Sequence, residues 1–225
     1  MRSTDGLFKI LLPVILINVF MVEANGQIIT SAGGPLLKDS SKEPISQEDL
    51  QAVIQALDIE IYKFNLNIAK DQKCKIILYK QEYEKRNIIK NENIWGTTSP
   101  FRSSVDGKLV DKLLKDIRII TKKNEREFSL IIKMGDFNIR KLSIKIDSIY
   151  ANPHACKPFK LPNECTIGSS VPLLLIGSFW DSTSIDGKMK FQRFCMENEL
   201  NNDFSNRSFD EMPHYFVIGI KIEEM

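Results

Sequence analysis

From Leu50 onward apolar residues recur at helical spacing. Leu50, Val53, Ile54, Leu57, Ile61, Phe64 and Ile68 follow at intervals of 3, 1, 3, 4, 3 and 4. That is one stripe of an amphipathic helix. Ser46 stands at the N-cap position, with Asp49 three residues on as in a capping box. The pattern predicts a helix over 47–71, roughly 37 Å long. The segment 74–90 fits either element. Ile76, Tyr79 and Tyr83 suit a helix, Ile76-Ile77-Leu78 suits a strand, and the helical spacing is favoured. Residues 93–104 read as a loop carrying Trp95 and Phe101. A second helix follows, capped by Ser104 or Asp106, with Leu109, Val110, Leu113, Leu114 and Ile117 as its stripe.

The period changes to two at Glu127. Phe128, Leu130, Ile132 and Met134 alternate with Ser129, Ile131 and Lys133. Gly135-Asp136 suits a two-residue hairpin turn. Pairing across it sets Met134 against Phe137 and Ile132 against Ile139. The apolar phase then slips to Leu142, Ile144 and Ile146. A bulge near Arg140-Lys141 repairs the slip, so that Leu130 meets Leu142, Phe128 meets Ile144 and Glu127 meets Lys145. Residues 171–180 form an apolar run of strand length. Asp186-Gly187 is a strong hairpin signal that sets Phe179 against Phe194 and Trp180 against Arg193. Residues 198–213 read as a polar surface loop. Residues 215–222 close the chain as a strand, with Phe216, Ile218, Ile220 and Ile222 on one face.

Helices first and hairpins afterwards argue for an α+β fold. The expectation is a long N-terminal amphipathic helix plus one or two further helices. These would pack on an antiparallel, hairpin-built sheet of about five strands, as a single domain over 46–225.

The first two dozen residues change the picture from fold to destination. Arg2 and Lys9 precede an apolar run over 10–22, and Val22-Glu23-Ala24 follows. This is the layout of a secretory signal peptide, and the run is short for a membrane span. Residues 1–24 are expected to be the signal peptide and 25–45 a flexible leader or propeptide. The mature protein is expected to be secreted, extracellular or periplasmic, with no membrane span.

The four cysteines gain meaning from that destination. Cys74, Cys156, Cys165 and Cys195 form an even set in an exported chain, which reads as two disulfides. The local pair Cys156–Cys165 is favoured, leaving Cys74 with Cys195. Asn206-Arg207-Ser208 is a glycosylation sequon at Asn206.

Net charge is +2 and points to no partner class. Its distribution says more. Residues 108–145 hold eleven basic and five acidic side chains, and those after Cys195 hold two basic and seven acidic. Lys108, Lys112, Lys115, Lys122 and Lys123 form a candidate polyanion face.

Catalytic signals are sparse. The chain has two histidines, His154 and His214, each read as a loop residue outside any catalytic motif. The G-x-S-x-G, phosphate-loop and EF-hand patterns are absent. Asp181 and Asp186 form a carboxylate pair in or near a turn, where aspartate serves conformation. No cofactor, metal or nucleic acid is expected. The function expected is a secreted, non-enzymatic binding protein. It would carry an apolar or lipid-like ligand between helix and sheet. The alternatives are an extracellular protein that recognises a protein or polyanion through the basic face, and a secreted hydrolase.

Overall fold

In the computed structural model, residues 45–68, 73–135 and 138–225 are described. The signal peptide and leader expected over 1–45 lie outside these residues, apart from Ile45. Residues 48–225 form one compact unit, which carries thirteen strands among its described residues.

A helix α1 (Gln47–Ala56) ends at Asp58, whose φ is 51°. Strand β1 (Ile59–Asn65) follows, then β2 (Cys74–Glu84), β3 (Asn87–Ser99), β4 (Phe101–Val105) and β5 (Lys108–Lys112). Next come β6 (Asp116–Asn124), β7 (Glu127–Met134), β8 (Asn138–Lys145), β9 (His154–Pro158) and β10 (Ser170–Ser178). The chain closes with β11 (Trp180–Thr183), β12 (Lys190–Arg193), α2 (Ser208–Glu211) and β13 (His214–Glu224).

The long strands build two antiparallel sheets. One has the order β1-β6-β7-β8 and the other β3-β2-β13-β10-β9. Their inner faces meet in one core. Phe64, Ile117, Ile119, Phe128, Leu130, Ile132 and Ile144 from the first sheet pack with Ile76, Leu78, Leu174, Ile176, Ile218 and Ile220 from the second. Side-chain contacts align the sheets. The Arg140 guanidinium on β8 lies 5.3 Å from the centre of the Trp95 ring on β3. At the other edge the Cys156 thiol on β9 meets Thr121 of β6. So β8 lies over β3 and β1 over β9, as in a β-sandwich.

The five-stranded sheet is covered on its outer face too. Tyr79, Tyr83, Leu175, Tyr215 and Val217 point outward and are buried by Phe159, Cys195, Leu200, Phe209 and Met212. This second core is capped by the segment 179–213. Arg86 at the β2–β3 turn donates to Asp210 of α2 and, at 3.1 Å, to the Phe204 carbonyl, which pins the cap to the sheet. Two glycines make the packing close enough. A Cβ at Gly219 would sit 2.6 Å from the Val171 carbonyl oxygen and 2.5 Å from Cζ of Tyr79. A Cβ at Gly177 would collide with the Met212 thioether.

The expected α+β fold is therefore corrected to a β-sandwich. The helix expected over 47–71 stops at Ala56, and none of its residues is buried: Leu50, Val53 and the following Leu57 are about half exposed. Beyond Asp58 a different pattern governs. Tyr62, Phe64, Leu66 and Ile68 alternate, and the last three are buried in the sandwich. Residues 74–90 form β2 and the start of β3. Both faces of β2 are buried, Ile76 and Leu78 in one core and Tyr79 and Tyr83 in the other, and this erases the alternation that marks a strand. The second expected helix is the β4–β5 hairpin, closed by Asp106 and Gly107, whose φ values of 50° and 75° fit a type I′ turn.

The β7–β8 pairs Glu127–Lys145, Phe128–Ile144 and Leu130–Leu142 are as expected. The bulge is not there. Ile132 pairs with Arg140 rather than Ile139, and the ladder runs unbroken to Met134–Asn138. The partner expected for Met134, Phe137, lies outside the described residues. Trp180 does pair with Arg193, and the Phe179 and Phe194 rings stack with centroids 4.9 Å apart.

Candidate functional site

Three features of the described residues could carry chemistry: a cleft beneath the β11–β12 hairpin, an opening at one end of the sandwich, and a buried histidine pair.

The cleft lies between the hairpin and α2 and has a volume of about 310 Å³. Trp180 and Arg193, paired across the hairpin, form one wall. Ser208 and Glu211 from α2 form the other, with Phe194, Met196 and Glu197 between them. Arg193 donates to the Met196 thioether at 3.5 Å and makes no ion pair among the described residues. A thioether is a weak acceptor, so the guanidinium keeps most of its donor capacity. Ser208 is 8% exposed. Its Oγ is the one buried side-chain polar atom among the described residues with no hydrogen-bond partner. The Cys195 thiol is its polar neighbour: burial pushes that thiol up, and the Ser208 hydroxyl pulls the other way. A buried hydroxyl left unpaired costs about 1–3 kcal/mol.

The opening at the sandwich end is larger, about 630 Å³. Ile59, Glu60, Thr121, Lys123, Phe128 and Cys156 line it. Three of its polar side chains have partners within the protein. Glu60 accepts the Tyr62 hydroxyl at 2.6 Å. The Cys156 thiol bonds to Thr121, and burial with the nearby Glu60 carboxylate pushes it up to about 12. A thiol held protonated is not a nucleophile.

The two histidines are strand residues, not loop residues, and they meet. His154 on β9 is 1% exposed and His214 on β13 is 0% exposed. His154 Nε2 lies 3.1 Å from His214 Nδ1. His154 Nδ1 reaches the Asn152 carbonyl at 3.0 Å, and His214 Nε2 reaches Glu82 Oε1 at 3.0 Å. Tyr150 stacks on His214 with centroids 3.6 Å apart. Burial and the neighbouring His214 push His154 down to about 4. Burial also lowers His214, against the pull of Glu82, Glu84 and Asp147. All four ring nitrogens are committed inside the protein, so neither ring offers a lone pair to a substrate.

The other sequence-selected residues fare differently. The expected disulfides are not formed: Cys74, Cys156, Cys165 and Cys195 are buried free thiols, and no two lie within bonding distance. Cys74 and Cys195 belong to the separate cores on opposite faces of the five-stranded sheet. Cys156 lies beside Glu60 near the start of β1, whereas the Cys165 amide donates to the Asn67 carbonyl beyond its end. Seven residues of extended chain span roughly 20 Å.

The candidate polyanion lysines are not gathered into one patch. Lys108 and Lys112 lie on the β4–β5 hairpin, and Lys115 precedes β6. Lys122 and Lys123 stand at the far end of β6, again roughly 20 Å along the strand, and as neighbours they point to opposite faces. Asp186 spends its carboxylate on the Ser184 hydroxyl and the Lys188 amide in its own turn. Asp181 lines the cleft. Asn206 is half-buried, and its Oδ1 accepts the Asn201 amide at 2.7 Å. Among the described residues no group of three His, Cys, Asp or Glu could hold a metal, and no helix is long and apolar enough to cross a membrane.

Sequence reasoning did not select Ser208 except as the last residue of a sequon, and it had no signal for the cleft. The hairpin that brings Trp180 to Arg193 was readable; the fold of the cap over it was not.

Residues 37–224 match the model of a family described as a domain of unknown function (DUF5041). The chain belongs to that family. The match takes in every strand described above and all three candidate features. No curated protein and no solved structure matches the chain.

Proposed function

We propose that this member of the family is an exported, non-catalytic binding protein. Its ligand is a small polyhydroxylated molecule of sugar-ring size, held in the cleft between the β11–β12 hairpin and α2. The observation that carries this reading is a cleft walled by Trp180 and Arg193, with Asp181, Glu197, Ser208 and Glu211 also in its lining.

The chemistry follows from the lining. Trp180 offers a flat apolar face for the C–H side of a ring. Arg193 donates to ring hydroxyls, while Asp181, Glu197 and Glu211 accept from them. A volume of about 310 Å³ is at the lower end of the range for small-molecule sites, roughly 300–1,000 Å³. That suits one or two rings and not an acyl chain. The long helix expected to cover such a ligand is absent among the described residues, and the space between the sheets is filled by side chains such as Ile119, Ile132 and Ile218. Export is supported by the signal-peptide layout of residues 1–24.

The test is calorimetric titration with a panel of neutral, amino and acidic monosaccharides and disaccharides. At least one should bind the wild-type protein. Trp180→Ala should weaken that binding about tenfold or more, and Ser208→Ala by a smaller factor. A panel with no binder, or binding untouched by Trp180→Ala, refutes the reading.

A further inference from the structure

The chain of contacts Asn152–His154–His214–Glu82 has a carbonyl at one end and a carboxylate at the other. Both ends accept. Three hydrogen bonds therefore need three protons: one on His154 Nδ1 for Asn152, one between the rings, and one between His214 Nε2 and Glu82. Two neutral imidazoles bring only two. If Glu82 is ionised and both rings are neutral, two lone pairs face each other at 3.0 or 3.1 Å somewhere along the chain. That arrangement also leaves a net negative charge beside a histidine that is 0% exposed.

We propose that Glu82, His214 and His154 hold three protons at neutral pH as a net-neutral unit, and that the shared third proton latches the 147–153 loop and the hairpin it supports. The proton lies between Glu82 and His214, on either the carboxyl oxygen or Nε2. Both placements leave His214 Nδ1–H donating to His154 Nε2, and both complete every bond. His154 stays neutral.

Burial disfavours a charge on His214, and the carboxylates of Glu82, Glu84 and Asp147 around it favour the proton. Glu82 and Glu84 face the pair from β2, Asp147 and Tyr150 from the loop, and Lys123 from β6. Tyr150 covers His214 and donates its hydroxyl to Glu84. Ser178 of β10 accepts the His214 amide at 3.2 Å, and Phe216 meets the ring edge-on.

The latch reaches the hairpin through Asn152, whose carbonyl takes the His154 proton. Its side-chain amide donates to the Phe179 carbonyl at 3.0 Å, and the Phe179 amide donates to the Pro153 carbonyl at 2.8 Å. Loss of the third proton sets the Glu82 carboxylate against a bare His214 Nε2 at 3.0 Å, and the repulsion that displaces His214 is passed through His154 to Asn152 and the base of the hairpin. This holds whether or not a ligand enters the cleft.

Two measurements test it. The first is NMR of the wild-type protein at pH 7, reading the imidazole 15N and Glu82 carboxyl 13C shifts. The expected result is a protonated His214 Nδ1, a bare His154 Nε2, and a third proton on either Glu82 or His214 Nε2. An ionised Glu82 beside a singly protonated His214 overturns the proposal. The second is hydrogen exchange at the Phe179 and β11–β12 amides between pH 6.5 and 9, corrected for intrinsic exchange. Wild-type protection should fall as the proton leaves. Glu82→Gln completes the chain with an amide N–H that does not titrate, so its protection should stay flat. Parallel wild-type and Glu82→Gln profiles overturn the proposal. If Glu82→Gln does not fold, the NMR measurement decides alone.

Discussion

His154 is 1% exposed, and its depressed affinity for a proton has a direct consequence for stability. The unfolded chain takes up this proton near pH 6.5 and the folded chain only near 4. Stability is therefore full above about 6.5 and declines as pH falls through that window. The shift corresponds to a loss on the order of 3 kcal/mol. Urea unfolding at pH 7 and pH 4.5 should show it, and His154→Gln should lose less over the same interval. Equal losses in both proteins would contradict the assignment. The cysteines make a second prediction at this scale. With all four buried, native protein should react with no thiol reagent over an hour at pH 8, and denatured protein should show four thiols. The reading of these cysteines as disulfides rested on parity and export, and neither shows which face of a sheet a side chain occupies.

At the scale of elements, the readable parts were those buried on one face or punctuated by a decisive turn. The apolar phase of β7 fixed its pairing with Leu142 and Ile144, and Asp186-Gly187 fixed the β11–β12 hairpin. Asp106-Gly107 is the same dipeptide and closes β4–β5, but Leu109, Val110, Leu113 and Leu114 beside it mimic a helical stripe. The stripe over 50–68 misled for a related reason. Spacings of 3 and 4 coincide with a period of two at Phe64 and Ile68, and the β-branched and aromatic residues of Ile59–Asn65 then favour the strand. Of the candidate site, only the Trp180–Arg193 pair was legible. Ser208, and the meeting of His154 with His214 sixty residues away, depend on long-range packing that no local pattern encodes. The close approach at Gly219 gives this scale its prediction. Gly219→Ala must displace backbone at Val171 as well as Tyr79. It should lower stability by about 2–3 kcal/mol in chemical denaturation. A change below about 0.5 kcal/mol would mean that β10 and β13 lie further apart than described.

The whole molecule is a sandwich whose five-stranded sheet is packed on both faces, one core shared with the other sheet and one with the 179–213 cap. The cleft belongs to the cap, away from the inter-sheet core, so its walls can vary while the sandwich stays fixed. Phe209 is 0% exposed at the centre of the outer core. Phe209→Ala should cost about 3–5 kcal/mol. Because the cleft lies on the cap, it should also weaken ligand binding, whereas Ile132→Ala in the inner core should cost stability alone.

The central claim is that the cleft, and not the sandwich end, holds the ligand. Trp180 stands on the cleft wall, and Thr121 and Cys156 line the opening at the sandwich end. The Trp180 indole N–H resonance and the Thr121 and Cys156 amide resonances, followed during saccharide titration, report on both places at once. The account predicts a saturable shift of the Trp180 signal while the Thr121 and Cys156 signals stay still. A shift at Thr121 and Cys156 alone, or no shift at Trp180 with a saccharide that binds, would contradict it.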